Sequence, residues 1–401
     1  MDLDFIQTLV KPAETKIVLL VIDGLGGLPR KSDNLTELEA ANTPNLDSLA
    51  KKGICGLQQP VGPGITPGSG PGHLGVFGYN PIKYEVGRGV LAALGIGFDL
   101  QPADVAARGN FCTIDENGNI LDRRAGRIPT EKNKELCELL RDIKLPGVEV
   151  FVETVKEHRC LIVLRGENLS GDLIDTDPQE IGKKPLQPQA LSSDGTHTVE
   201  LVSQFLDRVH DVLTDHHPAN MLLLRGFSKK PNWPSMQEAF GLKSAAIAGY
   251  PMYRGVSKLI GMDILETGST IKDEFTTLED NWDDYDFFYL HVKKTDSAGE
   301  DGDFDRKVSI IEETDGEIPR LLDLNPDVII VTGDHSTPSL MKAHSWHPVP
   351  VLIWSKSCRA DKIDRFGERA CIAGGLGARL PAIDMMPLAL ANAKRLEKFG
   401  A

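Results

Sequence analysis

The chain has 401 residues, with 41% hydrophobic and 25% charged residues, so it is long enough for about two to three globular domains. Its net charge of −14 argues against general nucleic-acid binding, because a phosphate backbone needs a basic protein face. No stretch approaches the ~20 apolar residues of a membrane span, and the acidic N-terminus is unlike a signal peptide. The six cysteines include no CxxC pair, which disfavours a disulfide framework or a zinc ribbon. We therefore expect a soluble, cytoplasmic protein.

The first strong element is the aliphatic run Ile17–Ile22, which predicts a strand buried on both faces of a parallel sheet. It ends at Asp23, in a glycine-rich turn. A helix is predicted to start at Pro44, capped by Thr43, and to stop at Gly53.

A glycine-rich segment, residues 61–78, is predicted to form a long functional loop that carries Ser69 and His73. Glycines allow backbone N–H groups to approach an anion and leave a serine hydroxyl accessible. The pattern matches neither the GxSxG elbow of α/β-hydrolases nor a Walker loop. By itself it is as consistent with a structural turn as with a catalytic serine. Beside two metal ions, however, the serine would be an activated nucleophile.

The middle of the chain has its own strand candidates, 158–164 and 220–224, and a helix candidate, 198–213. We interpret residues 108–234 as a second α/β domain inserted into the first. Residues 1–107 and 235–401 would then build the first domain together.

Late in the chain, buried strands are predicted at 285–292, 327–332 and 349–354, with a helical stretch at 305–313. Strands that alternate with helices predict an α/β fold, here a mostly parallel sheet flanked by helices.

Three of the predicted strands lead into an aspartate: Asp23, Asp296 and Asp334, the last followed by His335. Ligands of open parallel sheets bind beyond the carboxyl ends of the strands. A single such aspartate is more often a turn or cap residue. Three together with a histidine favour a metal site, because a cation offsets their mutual repulsion. His344 lies in a nearby loop, and a histidine of this kind, taken alone, is more often a structural hydrogen-bonding residue than a metal ligand.

Arginines are concentrated in the inserted region of this acidic chain. A guanidinium suits carboxylate and phosphate oxygens, so a basic cluster there would bind a small phosphorylated acid. Ordinary solvated or salt-bridged arginines are the alternative. The residues concerned are Arg108, Arg123, Arg124, Arg127, Arg159 and Arg225.

Together these motifs resemble the archaeal-type, 2,3-bisphosphoglycerate-independent phosphoglycerate mutases of the alkaline phosphatase superfamily. The resemblance covers residues 17–401. It rests on the segments LLVIDGLGG, LEAANTPNLDSLAKKG, ITPGSGPGHLGVFGYNP, RGNFCTID, DRRAGRI, LHVKKTDSAGEDGDFDRKV, VTGDHSTP and HSWHPVPVLIW.

The resemblance implies an alkaline-phosphatase-like metal domain with an inserted phosphotransferase domain that closes over 2- or 3-phosphoglycerate, the small-molecule partner. Ser69 would be the nucleophile and would become phosphoserine while glycerate stays bound, without 2,3-bisphosphoglycerate. One metal ion would be held by Asp23, Ser69, Asp334 and His335. A second metal ion would be held by Asp296, Glu300 and His344. The substrate would be contacted by His73, Arg123, Arg124, Arg127, Arg159 and Arg225.

Glu300 departs from the family pattern D-x-x-G-H, which usually ends in histidine. It follows Asp296 by four residues, so on a helical turn both carboxylates would point the same way. A carboxylate ligand favours Mn²⁺ or Mg²⁺ over Zn²⁺. Alternatively, Glu300 faces solvent in an acidic loop.

Two other hypotheses stay open. One is a metal-dependent phosphatase or a phosphotransferase that acts on another small alcohol. The other is a catalytically inactive binding protein of this fold. An inserted domain favours the mutase, because keeping glycerate away from water needs a lid.

Overall fold

The computed structural model of the protein describes residues 2–400, which form two compact units. The first contains the residues up to Glu85 and those from Trp233 onward, and the second is Val86–Asn232. The strands within the described residues are β1 (Ile17–Ile22), β2 (Ile54–Gln59), β3 (Val105–Ile114), β4 (Ile120–Asp122), β5 (Val148–Lys156), β6 (Arg159–Gly166), β7 (Met221–Ser228), β8 (Ser244–Ile247), β9 (Asp263–Leu265), β10 (Phe287–Val292), β11 (Val328–Thr332), β12 (Val349–Ser355) and β13 (Gly377–Pro381).

The helices of the described residues are α1 (Leu3–Gln7), α2 (Glu37–Ala40), α3 (Pro44–Ala50), α4 (Ser69–Val76), α5 (Arg88–Gly95), α6 (Thr130–Arg141), α7 (Thr196–Leu213), α8 (Met236–Phe240), α9 (Pro251–Leu259), α10 (Ile271–Asp280), α11 (Lys294–Asp301), α12 (Phe304–Asp323), α13 (Glu368–Ile372) and α14 (Met385–Asn392). In the part of the chain that the structure describes, none of them is long and apolar enough to cross a membrane.

The first unit is built on an eight-stranded sheet in the order β13-β2-β12-β11-β1-β10-β8-β9. Neighbouring strands are parallel except where β12 pairs with β11 and with β2. All six residues of β1 are buried, as its aliphatic run predicts for a central strand. The predicted α/β class, with a mostly parallel sheet flanked by helices, is confirmed.

The sheet brings the carboxyl ends of three neighbouring strands to one edge. β1 is parallel to both β10 and β11, so the chain leaves all three strands on the same side. Asp23 follows β1, Asp296 lies on α11 just after β10, and Asp334 follows β11. This topology places three carboxylates together although more than 270 residues separate Asp23 from Asp296 in the chain.

The prediction of a loop over residues 61–78 is wrong for its second half, because Ser69–Val76 is the helix α4. Glycine and proline disfavour helix locally, but tertiary packing overrides that preference here. A Cβ at Gly72 would come within 2.4 Å of the Asp334 carbonyl oxygen, so only glycine permits this approach of α4 to the strand end.

The second unit contains an antiparallel sheet in which β3 pairs with β4, β6 and β7, and β6 pairs with β5. Side chains alternate between the two faces of each strand. On one face, residues such as Val105, Ala107 and Phe111 pack into a core with α6 and α7. The opposite face carries the polar positions Arg108 and Asn110.

The boundaries of this unit differ from the expected ones. Residue 108 lies inside β3, and the unit begins at Val86, whereas its end at Asn232 is close to the expected 234. The physical reason is packing: α5 lies against β3 and β7, and the first half of β3 belongs to the unit's own core.

Candidate active site

The structure brings together the four residues predicted to hold the first metal ion, which we call the first metal group: Asp23, Ser69, Asp334 and His335. The Nε2 atom of His335 lies 3.3 Å from Asp23 Oδ1 and 3.2 Å from Asp334 Oδ2. Ser69 Oγ lies 3.3 Å from the same nitrogen. Ligands that are each about 2.1 Å from one ion stand roughly 3.0–3.4 Å apart, so these atoms are spaced like neighbours on one metal ion.

The donor atoms of this group also fit a divalent cation electrostatically. Asp23 Oδ1 and Asp334 Oδ2 are buried and accept no hydrogen bond. A buried carboxylate oxygen without a partner is costly, and a metal ion would supply the missing partner. Burial lowers the pKa of His335, although the neighbouring aspartates oppose this, so its imidazole is neutral and able to ligate.

Asp296, Glu300 and His344 are the residues predicted to hold the second ion, and we call them the second metal group. The structure clusters Asp296 and His344 with His335 rather than with Glu300. His344 Nε2 lies 3.5 Å from Asp296 Oδ1, and the His344 ring stacks on that of His335 with centroids 3.7 Å apart. His344 Nδ1 donates to the Pro67 carbonyl at 3.0 Å, which leaves Nε2 for a metal. Glu300 lies one turn after Asp296 on α11, with Oε1 4.0 Å from His344 Nε2 and its side chain 53% exposed. It is therefore the outermost member of the group.

Thr337, which sequence analysis missed as a site residue, links the two groups. Its hydroxyl donates to Asp296 Oδ1 at 2.7 Å and so accepts from His335 Nδ1 at 2.9 Å. The signal was present, because Thr337 belongs to the VTGDHSTP segment.

Asp23 contacts two further side chains, His291 and Lys293, which were not predicted as site residues. Its Oδ2 atom lies 3.1 Å from His291 Nε2 and 3.2 Å from Lys293 Nζ. Burial alone would raise the pKa of Asp23, but Lys293, His291 and His335 hold it well below its usual range. Asp23 is therefore ionised and ready to bind a cation.

Ser69 is partly buried and is the first residue of α4. The unpaired N–H groups of a helix's first turn favour an anion at this position. His73, predicted to contact substrate, is fully buried one turn later. Its Nδ1 donates to the Ser69 carbonyl at 2.8 Å and lies 3.1 Å from Asp334 Oδ2. Although burial opposes it, Asp334 raises the pKa of His73. This geometry gives His73 contacts that position Ser69 and Asp334.

Lys307 on α12 is a further residue that the sequence analysis missed. It is fully buried, and its ammonium donates to the carbonyls of Gly24, Gly26 and Thr337 at 2.8, 3.2 and 2.9 Å. It thereby joins the loops that follow Asp23 and Asp334. The available signal was a lysine in the apolar stripe of an amphipathic helix.

The second unit gathers arginines on the sheet face opposite α6 and α7. Arg108 stands directly opposite Arg225 across β3 and β7, and Arg159 stands opposite Asn110 across β3 and β6. Like charges directly across a strand pair repel each other, so the arrangement favours an anionic ligand. The Oδ1 atom of Asn110 is buried without a hydrogen bond.

Some of the predicted arginines already have acidic partners. Arg123 makes a two-point contact with Asp177 at 2.9 and 2.7 Å. Arg225 lies 3.3 Å from Asp175, and Arg159 lies 3.4 Å from Glu157.

Arg124 and Arg127 differ, since they are exposed and, within residues 2–400, make no ion pair. Arg124 directly precedes a turn formed by Ala125, Gly126 and Arg127. These three residues all have positive φ, at 46°, 64° and 54°. Such backbone costs about 1–3 kcal/mol per non-glycine residue and is concentrated at functional sites.

His158 and Arg88 lie among these arginines. Burial and the charges of Arg159, Arg124, Arg108 and Arg127 lower the pKa of His158 to about 3, so the imidazole is neutral. Burial, Arg225 and Arg159 lower the pKa of the Arg88 guanidinium. Arg88 is the first residue of α5, and its backbone lies against Gly226. Its position between two glycines, Gly87 and Gly89, was the signal that sequence analysis passed over.

Known proteins that are similar in sequence identify the family of this chain. The family model for 2,3-bisphosphoglycerate-independent phosphoglycerate mutase matches residues 50–220. An Aquifex aeolicus protein named "Probable 2,3-bisphosphoglycerate-independent phosphoglycerate mutase" is 52% identical over 100% of both chains. The chain belongs to this mutase family. A Thermus thermophilus member with the same printed name is 50% identical over 99% of this chain and 98% of its own.

Two solved structures are also similar to this member of the mutase family. A Pyrococcus horikoshii protein aligns with a TM-score of 0.84 and 31% identity, over 97% of this chain and 100% of its own. The cofactor-independent phosphoglycerate mutase from Thermoplasma acidophilum aligns with a TM-score of 0.71 and 31% identity, over 94% and 100%. The family predicted from the sequence motifs is confirmed.

Proposed function

We propose that the protein interconverts 2-phosphoglycerate and 3-phosphoglycerate through a phosphoserine at Ser69, with two divalent metal ions and without 2,3-bisphosphoglycerate. The observation that carries the proposal is the convergence of Ser69 Oγ, Asp23 Oδ1 and Asp334 Oδ2 around one histidine nitrogen, each within 3.3 Å of it. This reaction belongs to glycolysis and gluconeogenesis, and we assign the protein to the cytoplasm.

In this mechanism, Ser69 gives up its hydroxyl proton and its Oγ forms a bond to phosphorus while the ester bond to glycerate breaks, and the freed glycerate oxygen takes up a proton. Glycerate stays bound. Its other hydroxyl then loses its proton and takes the phosphoryl group, and Ser69 Oγ takes up a proton again. Divalent ions held by the two metal groups would lower the pKa of the serine hydroxyl and offset the charge of the phosphoryl oxygens. The first turn of α4 adds positive potential beside Ser69.

The arginine cluster would bind the anionic groups of the substrate. Arg124 and Arg127 have the least competition from acidic side chains, whereas Asp177 occupies Arg123. Two-point contacts of guanidinium groups with carboxylate or phosphate would fix the orientation of glycerate between the two transfer steps. His73 would act by holding the Ser69 backbone and Asp334 in place.

We further propose that the ions are Mn²⁺ or Mg²⁺ rather than Zn²⁺. The two groups offer the carboxylates of Asp23, Asp296, Glu300 and Asp334, and only two histidines. Oxygen-rich ligand sets favour these harder cations.

The test is mass spectrometry of the Mn²⁺-loaded protein after brief incubation with 3-phosphoglycerate. We expect a phosphate adduct on Ser69 and formation of 2-phosphoglycerate, detected through enolase. Ser69→Ala should lose the adduct and several orders of magnitude in rate. Ser309→Ala, at an exposed serine of α12, is the matched control. Ser69→Ala activity within about tenfold of the parent, roughly 1.4 kcal/mol, would reject the covalent route. Dominant release of inorganic phosphate would indicate a phosphatase.

A further inference from the structure

Lys293 occupies an unusual position between the two metal groups. It stands directly after β10 and before α11, and its Nζ lies 3.2 Å from Asp23 Oδ2. The same ammonium contacts Asp296 Oδ2. One lysine therefore bridges a carboxylate of the first group and a carboxylate of the second.

The two contacts leave both metal groups intact. Lys293 uses Oδ2 of each aspartate, whereas Oδ1 of Asp23 and Oδ1 of Asp296 face the histidines of the two groups. Its ammonium can therefore remain in place when divalent ions are bound.

The charge of the loaded centre depends on this residue. Asp23, Asp296, Asp334 and Glu300 together carry as much negative charge as two divalent ions carry positive charge. The ligating histidines are neutral when they bind a metal. Lys293 thus adds one positive charge beside this balanced set, and its side chain is 27% exposed.

We propose that Lys293 sets the charge of the dinuclear centre, weakening its affinity for divalent cations while strengthening its affinity for the phosphoryl anion. This inference rests on the proposed two-metal function. It predicts effects of opposite sign on two ligands when the charge is removed. If Lys293 only held the two aspartates in position, its loss would weaken the binding of divalent cations and of the phosphoryl anion alike.

The variant to test is Lys293→Met, which keeps the length of the side chain and removes its charge. Lys293→Gln is a second neutral variant, and Lys293→Arg keeps the charge. Lys294→Met is the matched control, because Lys294 is the next residue and its charge acts on Glu274. Circular dichroism identifies which variants are folded, and a neutral variant that folds carries the test.

Two dissociation constants would be measured by calorimetry at low ionic strength: that of Mn²⁺ for the metal-free protein, and that of inorganic phosphate for the Mn²⁺-saturated protein. For Lys293→Met we expect Mn²⁺ to bind about tenfold more tightly and phosphate about tenfold more weakly, because a unit charge a few ångströms away acts on both. Lys293→Arg and Lys294→Met should match the parent.

Weaker Mn²⁺ binding in both neutral variants, or Mn²⁺ and phosphate constants equal to those of the parent, would overturn the role of Lys293. Failure of the parent protein to bind Mn²⁺ would instead overturn the two-metal function on which the inference rests. The two failures are therefore distinguishable from the same titrations.

Discussion

The hydroxyl of Thr337 lies 2.9 Å from Nδ1 of His335. Because the same hydroxyl gives its proton to Asp296, the proton between Thr337 and His335 belongs to Nδ1 of the imidazole. The unprotonated Nε2 is then the atom that faces Asp23 and Asp334. A single hydroxyl thus fixes a tautomer in the first metal group and orients a carboxylate of the second.

Removing this hydroxyl should weaken metal binding without a change in side-chain shape. We expect Thr337→Val to lower the affinity for Mn²⁺ by about 10–100-fold, as is typical for the loss of a partner that orients a metal ligand. Thr337→Ser, which keeps the hydroxyl, should stay near the parent. Titration of Mn²⁺ into the metal-free proteins measures this, and equal affinities for the Val and Ser variants would contradict it.

Glu300 should decide which ions the second group accepts. We expect Glu300→Ala to bind one Mn²⁺ per chain where the parent binds two, with most activity lost. Glu300→His should keep activity and shift its preference toward Zn²⁺, because imidazole is the softer ligand.

The control for this prediction is Asp301→Ala. Asp301 is the adjacent acid on α11 and pairs with Arg306 rather than with a metal group. Metal content by plasma emission spectroscopy gives the stoichiometry. Two ions and near-normal activity in Glu300→Ala would show that Glu300 only faces solvent.

The unpaired arginines should control substrate retention. We expect Arg124→Gln and Arg127→Gln each to raise KM by about tenfold or more, since a charged two-point contact is worth roughly 1.5–3 kcal/mol. Release of phosphate plus glycerate should also increase. Arg208→Gln is the matched control, because Arg208 is exposed on α7, which covers the opposite face of the sheet. Unchanged KM and phosphate release in both variants would place the substrate site elsewhere.

A pH-dependent stability is predicted at Glu274 on α10, which belongs to neither metal group. Burial raises the pKa of this carboxyl to about 8, and its Oε2 atom has no hydrogen bond. Below about pH 4.5 the group is neutral in both the folded and the unfolded chain. Between about pH 4.5 and 8 it ionises only in the unfolded chain, so the free energy of unfolding falls as the pH rises.

Glu274→Gln should remove this dependence. We expect the variant to be more stable than the parent by about 2–4 kcal/mol at pH 8 and nearly equal to it at pH 4.5. Urea unfolding at both pH values measures the difference, with Asp280→Asn, at an exposed acid of the same helix, as control. A variant no more stable than the parent at pH 8 would refute the assignment.

Local patterns of residue type are enough to predict several parts of this fold. The aliphatic run of β1 is hydrophobic at every position, which predicts a strand buried on both faces. The same pattern holds for β10 and β11 apart from His291 and Thr332. Because parallel strands end at one edge of a sheet, the sequence predicts that Asp23, Asp296 and Asp334 lie together. Side-chain type then indicated a metal, since only a cation makes such a meeting favourable.

Other features of the protein depend on contacts between distant segments and are visible only in the tertiary structure. Gly72 packs against Asp334, and this long-range contact makes Ser69–Val76 a helix against its local preference. From its residue type alone, Lys293 would be predicted to be a solvated surface lysine. The parallel pairing of β1 and β10 instead places it between two carboxylates. Residues that are distant in the chain determine the charge of a group, the carboxylate oxygen that faces a metal and the burial of a side chain. The local periodicity of the sequence does not depend on these distant residues, so it cannot predict such features.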